Sequence, residues 1–261
     1  MTGSLETTQW DPATTVTAPD VSGNGTWDVE ARGVWKSFGS VPVLRGLNLR
    51  IAAGQRAVIV GPNGSGKTTL LKILATLVPP SAGAARVAGF DIRSQAGEVR
   101  RNVGVLCHQT YLYSELTCLE NLLFYARMYG VVDPPQRSRE MLRLVGLEAQ
   151  ADTLVRSLSR GMQQRLSLAR AIIHEPLVLL LDEPDTGLDQ RWAGVLSDLV
   201  AERAAQGGTT LLTTHNLERS LDLADRVAVL NRGRIVFSAR REDLDVGSFK
   251  EAYGRHTGAA A

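Results

Sequence analysis

The chain of 261 residues has only two cysteines, Cys107 and Cys118, which leaves no disulfide framework and fits a reducing compartment. With His108 between them they match no zinc spacing, and a fourth ligand is missing. Two reduced structural thiols are expected. Unbalanced charge is also scarce. The 29 Lys and Arg nearly cancel the 27 Asp and Glu, for a formal net charge of +2, and nothing points to electrostatic capture of nucleic acid. No apolar run approaches the roughly 18–20 residues needed to cross a bilayer. The longest candidate, Leu177 to Leu181, runs straight into Asp182 and Glu183. The opening residues lack a basic region followed by an apolar core, so no secretory signal is expected. Residues 1–26 are rich in Thr, Ser, Gly and Asp and show no hydrophobic period; they read as a disordered leader.

What remains suits one domain with a subdomain. A hydrophobic content of 44% with 21% charged residues is that of an ordinary globular protein. Packed structure is expected from Trp27, where Val29, Ala31 and Val34 begin a strand-like pattern. Leu47–Ile51 and Ala57–Val60 read as two strands joined through Ala53-Gly54. The second is apolar throughout, as a parallel strand covered on both faces should be. Gly61 breaks it, and a helix follows from Gly66, with Leu70, Leu71, Ile73, Leu74 and Leu77 inside and Pro79-Pro80 as its stop. From about Thr110 to Leu158 the patterns are helical, with four of the chain's five tyrosines. Strands resume at Leu177–Leu181, Thr210–Thr214 and Val227–Leu230, the last entering a hairpin through Asn231-Arg232-Gly233 into Ile235–Phe237. Alternating strands and helices predict an α/β domain with a mainly parallel sheet flanked by helices.

Three stretches carry chemistry. The run Gly61-Pro62-Asn63-Gly64-Ser65-Gly66-Lys67-Thr68, followed by Thr69, is a complete phosphate loop between a buried strand and a helix. Its glycines let backbone N–H groups point at phosphate oxygens, and the helix adds the positive end of its dipole. Lys67 is placed to reach the β- and γ-phosphates and Thr68 to ligate Mg²⁺. Asp182 ends an apolar strand, where a charge is costly unless it meets solvent or a cation, which makes it a Mg²⁺ partner. Glu183 beside it is placed to act as general base toward water. Ser159 fits a helix N-cap, with Met162, Leu166, Ala169, Ile172 and Ile173 as the apolar stripe behind it. An exposed helix start with Ser159 and Gly161 is a ready anion site.

The order of these stretches, with Leu158-Ser159-Arg160-Gly161-Met162-Gln163-Gln164-Arg165 between phosphate loop and acidic strand, resembles the ATP-binding-cassette (ABC) ATPases from about Trp27 to Leu244. That resemblance implies a P-loop NTPase of ABC ATPase type, with an antiparallel β subdomain, a helical insert at about 110–158, and residues 245–261 as a C-terminal tail. It implies ATP and Mg²⁺ as cofactors and hydrolysis of ATP. By the same resemblance Phe38 stacks on adenine, with Trp35 as the competing choice. Gln109 links metal and attacking water to the helical insert. Asp189, in Asp185-Thr186-Gly187-Leu188-Asp189, lies at a dimer seam, and His215 contacts the γ-phosphate. Ser159 and Gly161 would bind the nucleotide of a second nucleotide-binding domain, a second copy or a paralogue, so two domains would close around two ATPs.

Arg160 and Met162 depart from the commoner signature, which has Gly and Gln at those places. With Glu115-Leu116-Thr117, Glu120-Asn121-Leu122 and Phe124–Gly130, the strings look most like the haem-exporter ATPase of cytochrome c maturation; drug, lipid and polysaccharide exporters carry similar ones. The family implies an integral membrane permease as partner, docked near the aromatic segment 111–129. The ATPase would then sit on the cytoplasmic face of the membrane, with no nucleic-acid partner.

Overall fold

The computed structural model describes residues 27–184 and 190–258. The leader 1–26 and the Asp185–Asp189 stretch lie outside them. The first elements are β1 (Trp27–Phe38), β2 (Val41–Ala52), β3 (Arg56–Val60), α1 (Lys67–Leu74), β4 (Ala82–Val87) and β5 (Phe90–Asp91). Next come α2 (Ala96–Asn102), β6 (Val103–Leu106), α3 (Cys118–Met128), α4 (Pro134–Leu144) and α5 (Arg160–Ile172). The chain continues with β7 (Val178–Asp182), α6 (Gln190–Ala205), β8 (Thr209–Thr214), α7 (Leu217–Leu223), β9 (Arg226–Asn231), β10 (Arg234–Arg240) and α8 (Val246–Thr257).

The main sheet has the order β10-β9-β3-β8-β7-β6. Every neighbouring pair is parallel except the β9–β10 hairpin. Strands β3 and β7 are buried on both faces along Ala57–Val60 and Val178–Leu181, which is why those runs are apolar instead of alternating. A second, antiparallel sheet of order β2-β1-β4-β5 packs over one face. Val29, Val34, Leu47 and Ile51 join α1 and the main-sheet residues Ile59 and Leu180 in one core. The other core lies between the opposite face and the helices, where α3 and α4 pack on α5. Among the described residues no helix is long and apolar enough to cross a membrane.

Register decides where function can sit. Val60 pairs with Thr214, Thr213 with Asp182, and Leu181 with Leu106. The carboxyl ends of β3, β8, β7 and β6 therefore finish level, and the loops that follow them emerge on one edge. Open parallel sheets bind ligands outside that edge.

One expectation is corrected. The first helix stops at Leu74, five residues before Pro79, because Ala75 caps it and Thr76 turns left-handed (φ 60°). Helices α3 and α4 rest on α5, which also packs on β6 of the main sheet. The stretch after Leu244 has a helix of its own. It forms α8, capped by Asp245, whose Phe249 is fully buried against the main body and whose His256 carbonyl accepts from Asn231.

Candidate functional site

The phosphate loop leaves β3 at Gly61 and enters α1 at Lys67. Gly61 is required by proximity, since a Cβ there would stand 2.2 Å from the Leu230 carbonyl oxygen. Gly66 is required by conformation as well, with φ 112° and the Leu44 side chain 2.7 Å from where a Cβ would be. The loop is pinned by Gly233, whose N–H donates to the Ser65 carbonyl at 3.0 Å. Gly66 offers no side-chain cap, so the N–H groups opening α1 have no side-chain acceptor. Gly64 faces open space. The Ser65 hydroxyl is buried without a partner, a sign of an absent ligand. Lys67 is 6% exposed and folds back, donating to the carbonyls of Gly61 at 2.7 Å and Pro62 at 3.3 Å. Burial pushes its pKa down, against the opposing pull of the Glu183 and Asp182 carboxylates. This cradle fits a polyphosphate.

Asp182, the last residue of β7, is 1% exposed. Each of its oxygens accepts a hydroxyl: Oδ2 from Thr68 at 2.7 Å and Oδ1 from Thr213 at 2.7 Å. The carboxylate thus joins the start of α1 to the end of β8. Thr68 and Asp182 together present adjacent hard oxygens, the donor set Mg²⁺ takes alongside substrate phosphates. Glu183 turns left-handed (φ 48°) and its N–H donates to the Thr213 carbonyl at 2.9 Å. That turn directs its carboxylate between Lys67 Nζ, at 3.8 Å, and His215 Nδ1, at 3.4 Å. His215 is mostly exposed, just past β8. A carboxylate held beside a cradled phosphate, with solvent within reach, has the placement a general base requires.

Lys67, Thr68, Asp182, Glu183 and His215 therefore converge on one edge. Gln109 lies three residues beyond β6 on the same edge, exposed. Phe38 ends β1, half exposed, with Lys36 Nζ 4.9 Å from its ring centroid, whereas Trp35 lies against Gly46. Ser159 caps α5 by accepting from the Met162 N–H at 3.3 Å. It and Arg160 are exposed, and Ser159 stands eight residues, ~12 Å, up the helix from Ser167, which touches the Gln109 loop at the Thr110 carbonyl. Ser159 and Gly161 thus lie at the start of α5, the helix on which α3 and α4 pack. Asp189 lies outside the described residues. Sequence reasoning missed Thr213: buried threonines at 210, 213 and 214 in a core strand were the available signal. Cys107 and Cys118 are separate, buried thiols.

A phosphate loop entering a helix beside a parallel sheet, with an acidic strand end and a capped helix between them in sequence, defines a P-loop nucleoside triphosphatase of the cassette type. Residues 44–186 match the family described as ABC transporter, and the chain belongs to that family. It is an ATP-hydrolysing ABC domain. It is 40% identical over 214 residues to the daunorubicin resistance ATP-binding protein DrrA3 of Streptomyces coeruleorubidus, covering 81% of this chain and 68% of that one. It is 39% identical over 208 residues to the Nod factor export ATP-binding protein I of Burkholderia lata, covering 79% and 68%. Among solved structures it resembles a dimeric, post-hydrolysis ATP-binding cassette bound to ADP and Pi. The TM-score there is 0.76 and the identity 27%, over 82% of this chain and 98% of that one. These relatives are named for drug resistance and Nod factor export, so the expected likeness to a haem exporter is not supported.

Proposed function

We propose that the chain is the ATPase subunit of an exporter of the drug-resistance or Nod-factor-export kind, working as a pair of cassettes beneath an integral membrane permease. The observation that carries the reading is the split site. Phosphate loop, acidic strand end and His215 converge, while Ser159 is exposed at the start of α5, a helix whose packing runs to α3, α4 and β6. Two copies related by a two-fold axis would complete each other's sites, with Ser159 and Gly161 of one facing the nucleotide on the other.

In this reading the Gly61–Thr69 loop and the α1 N-terminus bind the phosphates, and Phe38 stacks on the base. Lys67 gives up its carbonyl contacts to neutralise the β- and γ-phosphates. Thr68 and Asp182 would hold Mg²⁺, with Gln109 on the same side; the metal would supply charge neutralisation on the phosphate oxygens. Glu183 takes the proton from the attacking water, and His215 steadies the γ-phosphate. Asp189 lies at the seam. ATP favours the closed pair because it contacts both halves, and hydrolysis removes that preference.

The permease would dock on the outer face of α3, where Tyr113, Phe124 and Met128 are exposed and Leu116, Glu120, Leu123 and Arg127 complete a groove. Aromatic and methionine side chains are enriched at such interfaces. The chain would then lie at the cytoplasmic face of the membrane, held there by its partner. Affinity purification of the tagged chain from detergent-solubilised membranes is expected to recover an integral membrane protein. Recovery of ribosomes or nucleic acid instead would favour a soluble ABC ATPase.

A further inference from the structure

Arg170, on α5, is 7% exposed. Among the described residues its guanidinium meets oxygens and rings and forms no ion pair. Nη2 donates to the Val105 carbonyl at 2.8 Å, the Thr110 carbonyl at 3.2 Å and the Ser167 hydroxyl at 3.2 Å. Its Cζ lies 5.7 Å from the Tyr111 ring centroid and 5.6 Å from that of Tyr125. A cation buried without an anion is costly, and its neighbours on α5, Leu166, Ala169 and Ile172, are apolar.

All these contacts fall on or around one segment, the link from β6 to α3 that carries Gln109. Ser167 donates a second hydrogen bond to the Thr110 carbonyl, at 3.0 Å. The Tyr125 hydroxyl donates to the Tyr111 carbonyl, and the Cys107 thiol to the Gln109 carbonyl at 3.2 Å. Tyr111 is held left-handed, at φ 54°, a conformation its neighbours must impose. The backbone around Gln109 is thus gripped from α3 and α5 while its side chain stays exposed. Ser159 caps the same α5, eleven residues or ~16 Å from Arg170 along a continuous helix.

We infer that Arg170 is a positioning residue for ATP hydrolysis, tying the Gln109 backbone to the helix that carries Ser159. With Ser167 and Tyr125 it makes α5 and the Gln109 loop one body. Docking of Ser159 on a second copy's nucleotide therefore sets where Gln109 stands in this one. The inference rests on the proposed role of Gln109 at the metal and attacking water. Lysine is no equal replacement, because its compact ammonium on a shorter stem lacks the flat guanidinium that lies near both the Tyr111 and Tyr125 rings while Nη2 meets the carbonyls.

The test is steady-state ATP hydrolysis by the full-length chain across Mg-ATP concentrations, for Arg170→Lys, Gln109→Ala and the double variant. Arg170→Lys is expected to lower kcat by about tenfold or more, because the shorter side chain cannot keep both carbonyl contacts at the end of its reach, with KM within about threefold of wild type. The double variant should hydrolyse no more slowly than Gln109→Ala alone, because both changes act on one group. Ser167→Ala removes only one hydroxyl and is the companion should Arg170→Lys fail to fold; it should give a smaller loss, also absent in the Gln109→Ala background. If Gln109→Ala is impaired while Arg170→Lys and Ser167→Ala hydrolyse normally, or add their full factor to it, the positioning role is overturned and the role of Gln109 stands. A Gln109→Ala protein with wild-type kcat would overturn both.

Discussion

Acidification should loosen this fold through one ring. His174 follows α5 and lies flat on Tyr129, just past the end of α3, with ring centroids 3.7 Å apart and planes 5° from parallel. Burial pushes its pKa down from 6.5 to about 4, and the nearby Arg170 and Arg203 cations add to the effect. The native state therefore favours the neutral ring. Its contribution is complete above pH 6.5, declines as the unfolded chain takes up a proton below that pH, and is gone below about pH 4. A displacement of that size is worth ~3 kcal/mol in all, of which ~2 kcal/mol is lost between pH 7 and pH 5. Urea unfolding of wild type and His174→Phe at both pH values isolates it, since the carboxylates that also titrate are common to the two proteins. Phenylalanine keeps a flat ring and cannot take a proton. Wild type should lose ~2 kcal/mol more than the variant over that interval. Parallel losses in the two proteins would refute the reasoning.

Thr213→Ala strips one hydroxyl from the buried Asp182 carboxylate, and a buried acceptor left unsatisfied costs ~1–3 kcal/mol; chemical denaturation should show that loss and hydrolysis should fall with it. Gly61→Ala places a methyl 2.2 Å from a backbone carbonyl, so the loop or β9 must shift, at ~1–3 kcal/mol; fluorescent-nucleotide titration should show weakened binding. Phe249→Ala empties a fully buried position and should cost ~3–5 kcal/mol in urea unfolding, whereas an α8 lying loose on the surface would leave stability unchanged.

The residues that converge at the sheet edge were legible because each is tied to a local signal. A glycine-rich turn between an apolar strand and a helix places Lys67 and Thr68, and a charge ending an apolar strand places Asp182. The core strands were legible for the same reason: Ala57–Val60 and Val178–Leu181 are apolar throughout because both their faces are covered. What escaped depends on contacts distant in sequence. Strand β6 is four residues with a glycine inside, and Gly104 is there because a Cβ would meet the Ala171 carbonyl at 2.2 Å. Thr213 matters only because register sets it opposite Asp182. Arg170 reads as one more polar residue in a helix until Val105 and Thr110 are seen above it. Helix α8 hides its packing in Phe249, Ala252 and Tyr253 within a largely polar stretch. The subgroup of relatives was the least legible, because the strings around Glu115–Gly130 and Ser159–Arg165 carry the family's chemistry and none that separates one cargo from another.

The central claim is that one chain holds half of each ATP site and a second copy's Ser159 supplies the rest. Sedimentation velocity of Glu183→Gln, with and without millimolar Mg-ATP, tests it most directly, since the variant keeps the binding cradle but lacks the proposed base. The account predicts a monomer without nucleotide and a stable dimer with it. A variant that binds ATP and stays monomeric would contradict the account.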